Sequence, residues 1–181
     1  MATQQTERVY DELLVTLARS GDARAANRLA ARWYPRLMRT ALRLLRDRGE
    51  AEEAVQEAWA GICRGWPRLS DPAMFPGWAF GILRRKCSDR IRASQSARAR
   101  TAPLDAAPEP SEPARGELQV DIDQALASLS DDHRLAAILF FGEGLSLNEI
   151  AAVTDVPVGT AKSRIFHARQ HLKSRLKGES E

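Results

Sequence analysis

Between Ala93 and Gly116 the chain reads ASQSARARTAPLDAAPEPSEPARG, with four prolines and Leu104 as its one large apolar residue. Such a stretch cannot bury enough surface to offset its ordering entropy, so an extended, mobile linker is expected here. The chain then divides into a first unit over residues 1–94, a linker over 95–116 and a second unit over 117–181. Both flanking units read as helical. In the first, apolar residues recur at three and four positions through DELLVTLARSG, the Ala/Arg/Leu-rich run to Arg46, EAEEAVQEAWAGICRGW and PAMFPGWAFGILRRKCSDRIR, with breaks at Gly21-Asp22, Asp47 to Gly49 and Pro67 to Pro72. In the second, four more helices fit ELQVDIDQALASL, DDHRLAAILFFGE, SLNEIAAVT and PVGTAKSRIFHARQHLKSRLK. Ser130 and Ser146 are placed as N-caps, and SLNE has the form of a capping box between Ser146 and Glu149. The expected fold class is all-α: two small helical domains on a flexible linker.

With 44% hydrophobic residues, the two units have enough apolar side chains for real cores. The longest apolar run, Leu135 to Phe141, is far shorter than the roughly 20 residues of a membrane-spanning helix, so no membrane insertion is expected. The start MATQQTERVY lacks the basic and apolar regions of a secretion signal, which points to the cytoplasm. Cys63 and Cys87 have no CxxC spacing; both are expected to be buried thiols. The net charge of +3 conceals segregation along the chain. Residues 1–94 carry 17 Lys/Arg against 11 Asp/Glu, residues 118–157 one against seven, and residues 158–177 six against none. A basic block within a folded segment suits a polyanionic partner.

That block is the last helix. At 100° per residue, Val158, Ala161, Ile165, Ala168, Leu172 and Leu176 share one arc and should pack. Ser163, Phe166, His167 and Gln170 lie opposite, flanked by Lys162 and Lys173 on one side and by Thr160 and Arg164 on the other. The helix before it is about two turns long, and the two are joined by DVP. A short helix, a tight turn and a second helix with a polar outer face make a helix-turn-helix, whose second helix enters the DNA major groove. Lys and Arg suit phosphates or guanine edges, Ser and Gln suit base edges, and an aromatic ring suits a thymine methyl. A plain solvated face would also be Lys/Arg-rich, but it gains nothing from an outward Phe166. His167 and His171, four apart, have no cysteine or acidic partner at ligand spacing, so no metal is expected. Neither a phosphate-cradling glycine loop nor a nucleophile-base pair is present, so no catalytic residue, cofactor or enzymatic activity is expected.

The string LSDDHRLAAILFFGEGLSLNEIAAVTDVPVGTAKSRIFHARQHLKSRL resembles region 4 of bacterial sigma factors, with Ser130 for the usual Pro and Ala161 for the usual Val. GDARAANRLAARWYPRLMRTALRLLRD, AEEAVQEAW and FPGWAFGILRRKCSDRIR resemble region 2, with Glu53-Ala54 where the family has Asp-Leu. Two regions and a short linker resemble the extracytoplasmic-function group. The resemblance implies that Glu53, Gln56, Glu57 and Trp59 grip the beta-prime clamp helices of core RNA polymerase. It implies that Arg68 to Arg92 reads and melts the minus-10 element of promoter DNA, and that the second unit reads the minus-35 element and touches the beta flap. It further implies an anti-sigma factor as regulator.

The helix from Met74 agrees in part. Phe80, Leu83, Cys87 and Ile91 form one stripe, and Phe75, Trp78 and Ile82 a second, beside Arg84, Arg85, Lys86 and Arg90. Aromatic rings beside basic groups hold single-stranded nucleic acid, although Trp78 and Ile82 are expected to serve a helix buried on two sides. The expected minus-10 residues are therefore Arg68, Ser70, Arg84, Arg85, Lys86 and Arg90. Those for minus-35 are Thr160, Lys162, Ser163, Arg164, Phe166, His167, Gln170 and Lys173. Two other readings stay open: a dimeric helix-turn-helix operator binder, and a sigma-like mimic that sequesters an anti-sigma protein.

Overall fold

The computed structural model describes residues 2–100 and 117–178, with side-chain environments for 5–96 and 121–175. It is all-α. The first unit contains α1 (Ala2–Arg19), α2 (Ala23–Leu45), α3 (Arg48–Gly65) and α4 (Phe75–Arg100); two short 3₁₀ turns, Trp66–Arg68 and Pro72–Met74, join α3 to α4. The second contains α5 (Glu117–Ala127), α6 (Asp131–Ala137), α7 (Leu147–Thr154) and α8 (Val158–Gly178). The expected linker differs at its start, because α4 runs on to Arg100; its remainder, 101–116, lies outside the described residues.

Side-chain caps set three of the described α-helix starts. Asp22 accepts the amides of Arg24 and Ala25 at the head of α2, and Asp47 accepts that of Glu50 at the head of α3. Both carboxylates thus pair amides that have no partner inside the helix. At α7 the capping box is complete: Ser146 accepts the Glu149 amide while Glu149 accepts the Ser146 amide at 2.7 Å. Ser130 departs from expectation. It occupies the N-cap position of α6 without a capping bond, and its hydroxyl pairs with His133 Nδ1 instead. The α6 helix then widens into a π turn over Ile138–Gly142, which leaves Phe140 and Phe141 partly exposed in edge-to-face contact.

Trp33 on α2 lies at the centre of the first unit, fully buried. Its ring stands edge-on to Phe75 at 4.9 Å, and the Arg36 guanidinium lies 4.2 Å from its centroid. As expected, α4 is buried on two sides: Trp78 packs over Gly65 and Ile82 over Gly61, while Phe80 and Leu83 enter the main core. A side chain at position 65 would place its Cβ 2.6 Å from the Trp78 ring, so only glycine fits there.

The two units also pack on one another. A single apolar cluster runs from Leu14, Leu29, Trp33, Phe75, Phe80 and Leu83 into Leu139, Leu145, Ile150, Val153, Ala161 and Ile165. Around it, arginines of the first unit reach acidic or carbonyl groups of the second. Arg36 Nε donates to Glu143 at 2.9 Å, Arg43 to Asp123 at 3.1 Å and Arg8 to Glu149 at 3.1 Å. Arg46 donates to the Ala127 carbonyl and Arg84 to that of Val153. A second, smaller cluster of Leu126, Leu129, Ala137, Ile138 and Ala168 holds α5, α6 and α8 together.

Candidate nucleic-acid interface

The turn into α8 is tight. Asp155 caps α7 in the left-handed region at φ 55°, Val156 donates to the Ala151 carbonyl, and Pro157 leads directly into α8. Inside, Ala161, Ile165 and Ala168 are buried. Val158, expected on that packing arc, is instead 43% exposed at the first residue of α8. Outward, Lys162, Ser163, Phe166, His167, Gln170 and Lys173 are all exposed, with Phe166 at 57%. The His167 ring packs edge-on between those of His133 and Phe166. Thr160 is half-buried, and its carbonyl accepts the Ser163 hydroxyl. Arg164 leaves this face and pairs with Asp132 on α6. Arg169, absent from the expected set, is exposed and lies on the same arc as Lys162 and Lys173. Its three-residue offset from Phe166 was the available signal.

On the first unit the expected groups are dispersed. Arg68 and Ser70 are exposed on the loop before α4, and Arg85 is exposed on α4 itself. The other expected basic groups of α4, Arg84, Lys86 and Arg90, face protein partners. Arg90, only 17% exposed at its side chain, donates to Glu50, Glu53 and Glu57 at 2.7–2.8 Å, and Lys86 pairs with Glu57 at 2.9 Å. The Glu50 bond, followed by those to Glu53 and Glu57, raises the guanidinium pKa despite partial desolvation. The Glu57 carboxyl is held below the ordinary carboxylate range, first by the bond from Lys86 and then by that from Arg90. Carboxylates expected to meet a polymerase and cations expected to meet DNA are thus joined in one network across α3 and α4. Gln56 is exposed, and Trp59 is half-buried with its ring edge-on to Trp66. Ala54, at the family's Leu position, is fully buried.

The cysteines divide. Cys87 is buried, and desolvation pushes its thiol up to about 12. Cys63, against expectation, is exposed on α3, whose inner face is filled by Ala58 and Ile62. No group of three or more potential metal ligands occurs among the described residues, and none of their helices is long and apolar enough to cross a membrane.

The capping carboxylate of Glu149 makes α7 sensitive to acid. Burial pushes its pKa up, but the bonds from Ser146 and Arg8 outweigh burial and hold it below the ordinary 4.5. A carboxyl depressed on folding stabilises above its unfolded pKa, and that stabilisation is lost as pH falls through the folded value. Glu149→Gln is expected to lower the melting midpoint at neutral pH by roughly 2–4 °C, for a cap worth about 1 kcal/mol. The gap to wild type should narrow as the pH falls below 4.5 and close as it passes through the lower folded value; thermal scans of both proteins over decreasing pH check this.

Two family models match the chain, Sigma-70 region 2 over residues 29–97 and Sigma-70, region 4 over residues 119–172, and together they span most of it. The ECF RNA polymerase sigma-E factor of Escherichia coli K12 is 28% identical over 186 residues, covering 94% of this chain and 96% of its own. The RNA polymerase sigma-H factor of Pseudomonas aeruginosa is 28% identical over 194 residues, covering 97% and 96%. Among solved structures, the sigma factor RpoE in complex with the anti-sigma factor NepR from Bartonella quintana aligns with a TM-score of 0.68 at 27% identity, over 83% of this chain and 96% of that one. CnrH in complex with the cytosolic domain of CnrY aligns with a TM-score of 0.67 at 26% identity, over 94% of this chain and 99% of that one. With both regions present in order, and the helix-turn-helix in the second, the chain belongs to the sigma-70 family of RNA polymerase sigma factors, in its extracytoplasmic-function group.

Proposed function

We propose that the chain joins core RNA polymerase, directs it to promoters and helps open the duplex, without enzymatic chemistry of its own. The observation that carries this reading is the outer face of α8, where Lys162, Phe166, Gln170 and Lys173 stay exposed behind a firmly capped α7. An exposed aromatic ring between two lysines suits a major groove, with the ring on base edges and the ammonium groups on phosphates. Arg169 joins the minus-35 set; Arg164, held by Asp132, acts by fixing α8 on α6. Arg68, Ser70 and Arg85 are the minus-10 groups open to a melted strand, and Gln56 with the outer edge of the α3 acidic row meets the polymerase clamp. An anti-sigma factor is the expected regulator, in keeping with the complexes in which RpoE and CnrH were solved. The site of action would be the cytoplasm, where promoter DNA lies.

The test is promoter binding by the reconstituted holoenzyme. Run-off transcription on a library of genomic fragments identifies a promoter, and Lys162→Ala/Lys173→Ala is then compared with wild type across a salt series. Loss of two phosphate contacts should weaken binding to all promoter variants alike and flatten the log–log salt slope by about 2. An unchanged slope would remove these lysines from the DNA contact.

A further inference from the structure

We propose that the cleft between α1, α2 and the π turn after α6 is a binding site for a nucleoside monophosphate, with arginines of α1 and α2 on the phosphate and Phe141 stacked on the base. None of the lining residues belongs to the sets assigned to DNA or polymerase, so the inference goes beyond the promoter-reading assignment and stands without it. The cleft has a volume of about 690 Å³, within the roughly 300–1,000 Å³ of small-molecule sites. One wall carries Arg8, Arg32, Arg36 and Arg39, and the other carries Phe140 and Phe141.

The arginines are arranged to receive an anion. Behind them lie two buried carboxylates, Asp11 on α1 and Glu143 at the end of the π turn, with side chains 5% and 2% exposed. Arg32 donates to Asp11 through Nε at 2.8 Å, and Arg36 donates to Glu143 through Nε at 2.9 Å. Aromatic faces hold the same groups in place: Arg32 lies 5.0 Å from the Tyr10 ring centroid and Arg36 4.2 Å from that of Trp33. Arg32 thus keeps both terminal nitrogens for a ligand, and Arg8, which donates to the Gly144 carbonyl and to Glu149 through Nη2, keeps Nη1. Arg39 is freer still. Its side chain is 56% exposed, and the Glu143 oxygen that it faces is 4.0 Å away, beyond hydrogen-bond range. Its fork is open for the bidentate contact that a guanidinium makes with phosphate. Four arginines against the three carboxylates Glu7, Asp11 and Glu143 leave an excess of one positive charge, which matches a single phosphate group better than a chain of three.

The opposite wall suits a base. Here α6 widens into its π turn, a local distortion frequent at functional sites. The turn leaves Phe140 and Phe141 37% and 51% exposed, with ring centroids 5.0 Å apart. Rings so placed gain nothing from water, whereas every base offers a flat face on which an aromatic ring can stack. The turn is tied to the arginine wall through its own backbone, since Arg36 donates to the Glu143 carbonyl at 3.2 Å and Arg8 to that of Gly144 at 2.9 Å. Rings and guanidinium groups are therefore held in fixed relation before a ligand arrives, which lowers the ordering cost of binding.

The test is calorimetric titration of the full chain with AMP and, in separate arms, with adenosine and with inorganic phosphate. AMP is expected to bind one-to-one with a Kd of about 10–100 μM, the range that ordinary ligand efficiency gives a molecule of its size. Adenosine and phosphate, each lacking half of the contacts, should bind at least about tenfold more weakly. Arg39→Ala and Phe141→Ala should each weaken AMP binding by at least about fivefold, while Phe141→Tyr, which keeps the ring, should retain it. Arg48→Ala removes the same charge from an exposed pair with Glu52 outside the cleft, and should leave the Kd unchanged. That comparison separates a built site from general attraction to a basic protein. Arg39 and Phe141 are exposed, so their variants should fold, as circular dichroism checks. No saturable binding of AMP, equal affinity for AMP and inorganic phosphate, or equal effects of Arg39→Ala and Arg48→Ala would each overturn the proposal. Because the titration uses neither polymerase nor DNA, its failure leaves the promoter-reading assignment standing.

Discussion

Trp33→Ala is expected to cost about 3–5 kcal/mol, the range for truncating a buried large aromatic residue, and thereby to unfold much of the protein at physiological temperature. Native domains have only about 5–15 kcal/mol to lose. Trp33 is fully buried and touches Phe75 and Phe80, and it is the surface on which Arg36 rests. Its removal therefore opens a cavity and frees the arginine that bridges the two units. The melting midpoint should fall by roughly 6–20 °C. Trp33→Phe should cost less. The indole Nε1 is buried without a hydrogen-bond partner among the described residues, so phenylalanine removes an unsatisfied donor as it removes volume. Thermal or urea denaturation of the two variants checks the order; equal losses would mean that the retained ring volume contributes nothing and that the indole itself is required.

Arg134→Met should cost the second unit about 1–3 kcal/mol, because the buried Leu129 carbonyl loses its donor, while the Leu126 carbonyl keeps the Leu129 amide and the Ala127 carbonyl keeps Arg46. Arg134 is 7% exposed and donates to the carbonyls of Leu126, Ala127 and Leu129 at 2.7–3.0 Å, and to Asp131 at 3.0 Å. Burial, aided by the nearby Arg46 charge, lowers its pKa while Asp131 opposes the shift. The guanidinium fork closes the turn from α5 to α6, the platform under α8. Lysine presents a single ammonium in place of a planar fork and cannot serve three carbonyls at once. Arg134→Lys should accordingly lose most of what Arg134→Met loses, as measured by urea midpoints. Full rescue by lysine would show that the charge, not the fork, stabilises the turn.

The eight helices were legible because their signals are local. Ser146 announces a start, Gly21-Asp22, Asp47 to Gly49 and Pro67 to Pro72 announce breaks, and the apolar periodicity gives the inward face. The α8 face was legible for the same reason: a surface helix displays its angular pattern in sequence, which put Lys162, Phe166, Gln170 and Lys173 outward correctly. Features set by distant partners were not. Arg36 and Glu143 are 107 residues apart, and nothing near either one announces the pair. Arg90, expected to meet minus-10 DNA, pairs with Glu50, Glu53 and Glu57 of α3, and Arg164, expected on the minus-35 face, pairs with Asp132 of α6. Ser130 gave up its cap to His133, and Cys63 faces outward from α3, whose inner face holds Ala58 and Ile62.

Association of the purified chain, freed of any inhibitor, with core RNA polymerase is the most direct measurement, read by co-elution on gel filtration together with run-off transcription. A one-to-one complex that initiates at discrete template positions is the expected result. A chain that never joins core enzyme, or a complex that starts transcripts no more selectively than core alone, would contradict the assignment of this protein to promoter-directed initiation.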